Sequence, residues 1–180
     1  MSSKPTIWLT GLSRSGKTTI AQGIADWLSE RNVPFQILDG SFVRDELGNF
    51  FGYSREERIK VSRVLGVMAK LLAQNGIYPI VTAITPHEES REFNRRELDP
   101  YIEIYVECAV ETCMDRDDKG LYRRAARGDI RQFIGVDVPY DVPKTPDLRI
   151  NTESDAPEES IDQATSFLSV SLGFKPSEST

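Results

Sequence analysis

Apolar and polar residues along the 180-residue chain fall into two alternating rhythms. Ile7-Trp8-Leu9 is a short apolar run that ends in a glycine-rich turn. From Thr18 to Glu30 the spacing turns helical, with Ile20, Ile24, Trp27 and Leu28 on one face. Phe35 to Leu38 reads as a second strand. The longest helical pattern is Arg55 to Gln74. Ser54 and Glu57 form a capping box at its start, and Gly76 stops it. Its apolar stripe is Val61, Val64, Leu65, Met68 and Leu72. Ile77 to Ala83 is nearly all apolar, as in a strand buried on both faces. A polar helix over Glu88–Leu98 and an alternating strand over Tyr101–Val106 follow. The spacing then predicts short helices over Glu111–Arg116 and Leu121–Arg127, and a fifth strand at Leu148–Ile150. Pro157 opens a last helix with Ile161, Ala164, Phe167 and Leu168 inward.

Strands alternating with helices imply an α/β doubly wound fold, a parallel five-stranded sheet covered on both faces. In such folds ligands bind beyond the carboxyl ends of the strands. No internal repeat or inter-domain linker interrupts the pattern, so residues 1–173 read as one domain. The proline-bearing stretch Val136–Pro146 reads as an extended loop, and residues 174–180 as a flexible tail.

The first turn carries chemistry. Gly11-Leu12-Ser13-Arg14-Ser15-Gly16-Lys17-Thr18 matches G-x-x-x-x-G-K-[ST], with a strand before it and a helix after it. The glycines let backbone N–H groups turn inward around phosphate, and the helix N-terminus adds partial positive charge. Gly11, Ser13, Ser15, Gly16 and Thr19 frame that nucleotide site. Lys17 is placed to reach the β- and γ-phosphates, and Thr18 to hold Mg²⁺ accompanying ATP. Arg14 either touches phosphate or points to solvent. The guanine-specifying N-K-x-D is absent, and the chain is short for a motor or transporter ATPase, so a small-molecule kinase fits best.

Composition narrows the partners. The chain is 39% hydrophobic and 28% charged, with net charge −6, which argues against a nucleic-acid polymer or an anionic membrane. No run of about 18 apolar residues spans a bilayer, and Met1–Thr6 carries no signal-peptide core. Cys108 and Cys113 lack zinc-site spacing and read as reduced thiols. A cytoplasmic location is expected. His87, the single histidine, has no role that the sequence reveals.

Two further groups stand near the phosphate loop. Asp39-Gly40 closes the second strand, and its carboxylate can face a metal ion or an acceptor hydroxyl; by itself the pair also suits a plain turn. Between Arg116 and Arg131 lie six basic residues and three acids, a basic island in an acidic chain. Such a segment suits a lid over transferring phosphate, spanning about residues 116–146.

These pieces together resemble the adenylylsulfate kinase family. The resembling segments are Thr6–Ser13, Gly16–Thr19, Leu38–Gly40 with Arg44, Gly52–Arg58, Ile84–Pro86, Lys119–Tyr122, and Gly135–Asp137 with Pro139-Tyr140. They keep family order over about residues 5–150. The resemblance implies that ATP phosphorylates the 3′-hydroxyl of adenosine 5′-phosphosulfate. It implies that Asp39 helps bind Mg²⁺ and orients or deprotonates that hydroxyl. Arg44 and Arg58 then hold the acceptor's 5′ anion, Tyr53 and Phe133 sandwich its adenine, and Ile84 and Thr85 line its site. Lys119 belongs to the lid, and a homodimer is implied.

The departures cluster on the acceptor side. Ser41-Phe42 follow Asp39-Gly40 where the family has Asp-Asn, and Val61 replaces an asparagine that touches the acceptor. Thr85-Pro86-His87 and Phe133-Ile134 also differ from the family's Ser-Pro-Tyr and Phe-Thr. Two other readings follow: a sibling kinase acting on another 5′-modified nucleotide such as cytidine diphosphoramidate, and a non-catalytic nucleotide sensor. The intact Lys17 and Thr18 speak against the sensor.

Overall fold

A computed structural model describes residues 3–174 of the chain. Five strands form one sheet: β1 (Thr6–Thr10), β2 (Phe35–Asp39), β3 (Tyr78–Thr82), β4 (Tyr101–Glu107) and β5 (Leu148–Asn151). Their order is β2-β3-β1-β4-β5, and every pairing is parallel. The helices are α1 (Lys17–Ser29), α2 (Gly40–Glu46), α3 (Arg55–Gln74), α4 (Glu88–Glu97), α5 (Val110–Asp115), α6 (Leu121–Ala126) and α7 (Pro157–Ser171).

The centre of the sheet is built by alternation. All five residues of β1 are buried. Successive side chains of a strand point to opposite faces. Ile7 and Leu9 therefore enter one core with Ile80, Ile104 and the inner faces of α1 and α7. Trp8 enters the other with Val81, Leu65 and Ala69. The two layers bury apolar surface on both sides of the sheet at roughly 25 cal/mol per Å².

Close packing between α1 and α7 depends on Gly23. A Cβ there would lie 2.5–2.9 Å from atoms of the Ile161 side chain. The α3 stripe also differs in detail from its apolar spacing. Its buried row is Val61, Leu65, Ala69 and Ala73, four residues apart, and Met68 faces outward. Small alanines on that row bring the helix close to the sheet.

Two elements depart from the sequence pattern. Helix α2 has no apolar periodicity to announce it; Val43 is its buried side chain. Asp39 starts it by accepting the backbone N–H groups of Ser41 and Phe42 at 2.9 Å each. The supposed free tail fails at its first residue. The Phe174 ring meets Trp27 edge-on at 5.1 Å and leans on Tyr78 at 6.3 Å, joining the α1–α7 core. Residues 175–180 lie outside the described residues.

Every crossover returns over the sheet, so the loops after β1, β2, β3, β4 and β5 gather at one end. No helix among the described residues is long and apolar enough to cross a membrane.

Phe174→Ala should cost about 1–2 kcal/mol, less than a fully buried aromatic because the ring keeps some exposure. A thermal melt should fall by about 3–6 °C. An unchanged melt would return Phe174 to the tail.

Candidate active site

The loop between β1 and α1 is held in shape from below. Gly11 has φ +151°, and a Cβ there would overlap the carbonyl of Val106 on β4. Gly16 has φ +97° and precedes α1, whose first turn carries no acid. The helix N-terminus is thus left free for an anion. Lys17 is 9% exposed. Its Nζ donates to the carbonyl of Leu12 at 2.5 Å and lies 3.4 Å from Ser15 Oγ. Burial lowers its pKa from the usual 10.5 to about 8. A desolvated ammonium inside its own loop gains most from a phosphate that arrives to share the charge.

Residues outside the G-x-x-x-x-G-K-[ST] motif fix this loop, and one of them, Thr152, has no signal in the sequence. Thr152, just after β5, donates its hydroxyl to the carbonyl of Ser15 at 2.8 Å. Arg116 in turn donates to the carbonyl of Thr152 at 2.6 Å and to its hydroxyl at 3.2 Å. Tyr122 donates to the carbonyl of Ser13 at 2.9 Å. Arg14 borders both sides of the loop and is held by carboxylates. It has φ +65° and pairs with Asp118 and, at 3.7 Å, with Asp117. Arg14 thereby ties the phosphate loop to the basic segment that follows α5. The two cysteines lie beneath, buried and free, and burial pushes the Cys113 thiol up to about 12.

Two clefts flank the loop. The first, about 390 Å³, lies between the loop and the start of α7. Gly16, Lys17, Thr18 and Thr19 face it, opposite Thr152, Asp155 and Pro157. The second, about 560 Å³, opens toward α2, α3 and the loop after β3. Ser13, Asp39, Arg44, Tyr53 and Arg58 border it. Ile84, Thr85 and Lys119 of the expected set border it too. Arg14, Lys17 and Thr18 border both clefts, so the two spaces meet at the phosphate loop.

Asp39 is fixed on both oxygens. One oxygen caps α2, and the other accepts the Thr82 hydroxyl at 2.7 Å. Strand register decides that second contact, because Asp39 pairs directly with Thr82 across β2 and β3. Asp39-Gly40 is thus the start of a helix rather than a plain turn, and it places the carboxylate on the second cleft.

The cationic end of the second cleft is built on Tyr53. The guanidiniums of Arg44 and Arg58 lie 4.8 and 5.4 Å from its ring. Arg44 donates to the carbonyls of Gly52 and, at 3.3 Å, of Phe51. Arg58 donates to the carbonyls of Tyr53 at 3.0 Å and Gln132 at 2.7 Å. Glu57 supports the segment, accepting from Gly52 N–H at 2.9 Å while it closes the capping box with Ser54. Burial, and then repulsion by Arg44, lowers Arg58 to about 10. Among the described residues neither guanidinium is in a salt bridge, so an anion there neutralises two crowded cations.

The loop after β3 is strapped down at several points. Trp8 donates its indole N–H to the Thr85 hydroxyl at 2.9 Å, and Arg91 donates to the Thr85 carbonyl at 2.8 Å. Tyr140 donates to the Thr10 hydroxyl, which donates to the carbonyl of Ile84 at 2.7 Å. These bonds hold Thr85 at φ +41°, a conformation a β-branched residue rarely adopts. Phe133 is the expected residue that the structure leaves outside. It does not border the second cleft, and its ring packs edge-on against Tyr122 at 4.8 Å.

A family model for adenylylsulphate kinase matches residues 3–151. The chain belongs to the adenylylsulphate kinase family. It is 39% identical over 158 residues to the adenylyl-sulfate kinase of Gloeothece citriformis, covering 88% of this chain and 90% of that one. It is 41% identical to the enzyme of Picosynechococcus, over 88% and 89%. The APS kinase CysC of Mycobacterium tuberculosis, solved with AMPPNP and APS, superposes at TM-score 0.88 with 34% identity, over 93% of this chain and 99% of that one. Membership makes the chain a phosphotransferase with an alcohol acceptor, on a P-loop kinase fold.

Thr152→Val should remove one hydrogen bond from the phosphate loop. KM for ATP should rise about five- to tenfold, the value of a bond near 1 kcal/mol. Unchanged ATP kinetics would mean that the loop holds itself.

Nucleotide affinity should be nearly flat below pH 8. It should fall as pH rises through about 8, where free Lys17 loses its proton. Folding stability should move the other way between about 8 and 10.5, because the unfolded chain binds the extra proton there. Titration calorimetry across pH 7–9.5 checks the first, and denaturant melts check the second.

Proposed function

We propose that this adenylylsulphate kinase transfers the γ-phosphoryl group of ATP to the 3′-hydroxyl of adenosine 5′-phosphosulfate. The observation that carries the reading is the meeting of two clefts at Lys17 and Thr18. ATP enters from the α7 side, with its triphosphate on the loop and the N-terminus of α1. The acceptor enters from the α2–α3 side. The relative that holds AMPPNP and APS together supports two nucleotide sites.

The acceptor oxygen approaches the γ-phosphorus opposite the bond to the β-phosphate. That bond breaks as the new one forms, and ADP leaves. Asp39, held by α2 and Thr82, orients the hydroxyl and takes its proton. Lys17 exchanges the Leu12 carbonyl for phosphate oxygens, which stabilises the charge in transfer. Arg44 and Arg58 take the 5′ phosphosulfate. Tyr53 and Phe133 are assigned to the acceptor's adenine, Phe133 joining as residues 116–146 close with Lys119 over the phosphates.

The donor set also fits Mg²⁺. The Thr18 hydroxyl and the Asp39 carboxylate border one cleft, and both offer the oxygen ligands a hard cation prefers. Mg²⁺ bound there with ATP supplies neutralisation of phosphate charge. The proposed setting is cytoplasmic, with small nucleotides as partners.

The assay is ADP release with Mg·ATP and adenosine 5′-phosphosulfate, with the product identified by mass as the 3′-phosphorylated nucleotide. Lys17→Ala should reduce turnover at least about 10³-fold, and Asp39→Asn should lower kcat by about 10²-fold or more with little change in KM for ATP. Bound ATP without turnover of this acceptor would move the acceptor to another 5′-modified nucleotide, with cytidine diphosphoramidate the next one offered.

A further inference from the structure

Three consecutive carbonyls in the loop after β3 are tied from behind. Thr10 donates its hydroxyl to Ile84 at 2.7 Å, Arg91 of α4 donates to Thr85 at 2.8 Å, and the N–H of Asp141 donates to Pro86 at 2.9 Å. Ile84, Thr85 and Pro86 border the second cleft. The same stretch of backbone begins at Thr82, whose hydroxyl steadies Asp39. One short segment therefore supports the carboxylate and walls the space beside it. Its shape is forced, because Thr85 sits at φ +41°, which a β-branched residue avoids unless neighbouring contacts hold it.

Arg91 is the strap that packing alone does not explain. It is 2% exposed, and a guanidinium taken out of water is costly unless its hydrogen bonds are replaced. Thr85 and Glu88 accept from its two terminal nitrogens, while Nε has no acceptor among the described residues. The head group is also fixed in direction. It lies 5.8 Å from the ring of Tyr140, Tyr140 stacks on Tyr105 at 6.0 Å with 16° between the planes, and Arg149 lies 5.2 Å from the Tyr105 ring. The row Arg91, Tyr140, Tyr105, Arg149 runs from α4 to β5. A planar guanidinium set between a ring and a carboxylate offers its remaining terminal donor in one direction, toward Thr85. Arg91 borders neither cleft, so any effect on substrate passes through the loop.

We propose that Arg91 is a positioning residue for the acceptor. Through the Thr85 carbonyl it holds residues 84–86 in the shape that the acceptor meets, and the Tyr140 ring holds Arg91. The inference rests on the reading of the second cleft as the site of adenosine 5′-phosphosulfate. A wall displaced by about 1 Å costs orientation at the reacting hydroxyl. The competing role is purely structural, a guanidinium that pins α4 to the loop for stability alone.

The test uses the full chain and compares wild type with Arg91→Met and Arg91→Lys. KM for adenosine 5′-phosphosulfate, KM for ATP, kcat and the melting temperature are measured for each, with the kinetics taken well below every melt. Met fills much of the same space without a charge, which favours a retained fold. Arg91→Met should raise KM for the acceptor about tenfold or more, the value of a charge-assisted hydrogen bond, and leave KM for ATP within about twofold. Arg91→Lys keeps a cationic donor and should recover most of the acceptor affinity. An unchanged acceptor KM beside a lower melt would overturn the proposal and leave Arg91 a stabilising residue. So would a KM for ATP that rises as far as that for the acceptor, the mark of a site disturbed as a whole. Tyr140→Phe and Tyr140→Leu give a second reading that does not depend on the folding of Arg91→Met. Both lose the hydroxyl and only Leu loses the ring, so Leu should raise the acceptor KM several-fold beyond Phe; equal values would count against the stack that holds Arg91 and overturn the proposal. A wild-type chain that neither turns over nor is stabilised by adenosine 5′-phosphosulfate would overturn the reading of the cleft itself. Wild-type turnover that none of these substitutions alters would overturn the role of Arg91 alone.

Discussion

The Lys17 ammonium sits where water barely reaches, with the carbonyl of Leu12 as its nearest partner. Taking a charge out of water is costly unless other groups replace the lost hydration. The surroundings are arranged to hold that charge in place. Val106 leaves room only for a glycine at position 11, Thr152 and Tyr122 grip the loop's carbonyls, and Arg14 is drawn aside by Asp117 and Asp118. The loop is therefore set before nucleotide arrives. In the proposed reaction, binding exchanges a carbonyl for phosphate with little rearrangement.

The acceptor side follows the same logic with anionic and cationic groups divided between its two ends. Asp39 stands at one end, immobilised because one carboxylate oxygen starts a helix and the other meets a neighbouring strand. Arg44 and Arg58 stand at the other, crowded over one tyrosine ring. The proposed acceptor, with a 5′ anion and a free ribose hydroxyl, has a group for each end. The distance between them is set by the rigid β2–α2 and α3 elements rather than by mobile side chains.

Much of this was legible from residue order, for identifiable reasons. The phosphate loop depends on local geometry, in which glycine φ angles, the strand before and the helix after all lie within a dozen residues. The capping box of Ser54 and Glu57 is equally local, and it forms as its spacing implies. Helix α2 was not legible, because its start depends on a carboxylate cap and its length leaves no room for an apolar period. Phe174 looked like the start of a tail because its partners, Trp27 and Tyr78, are far away in sequence.

The sequence by itself determined the alternation of strands and helices, the phosphate loop, and the residue types offered to two nucleotides. Those properties arise from contacts between near neighbours, which spacing records. Only the tertiary structure decided that Thr82 steadies Asp39, that Thr152 and Tyr122 clamp the loop, and that Phe133 rests on Tyr122. Each joins residues brought together by sheet register or helix packing. No local pattern in the chain encodes such distances.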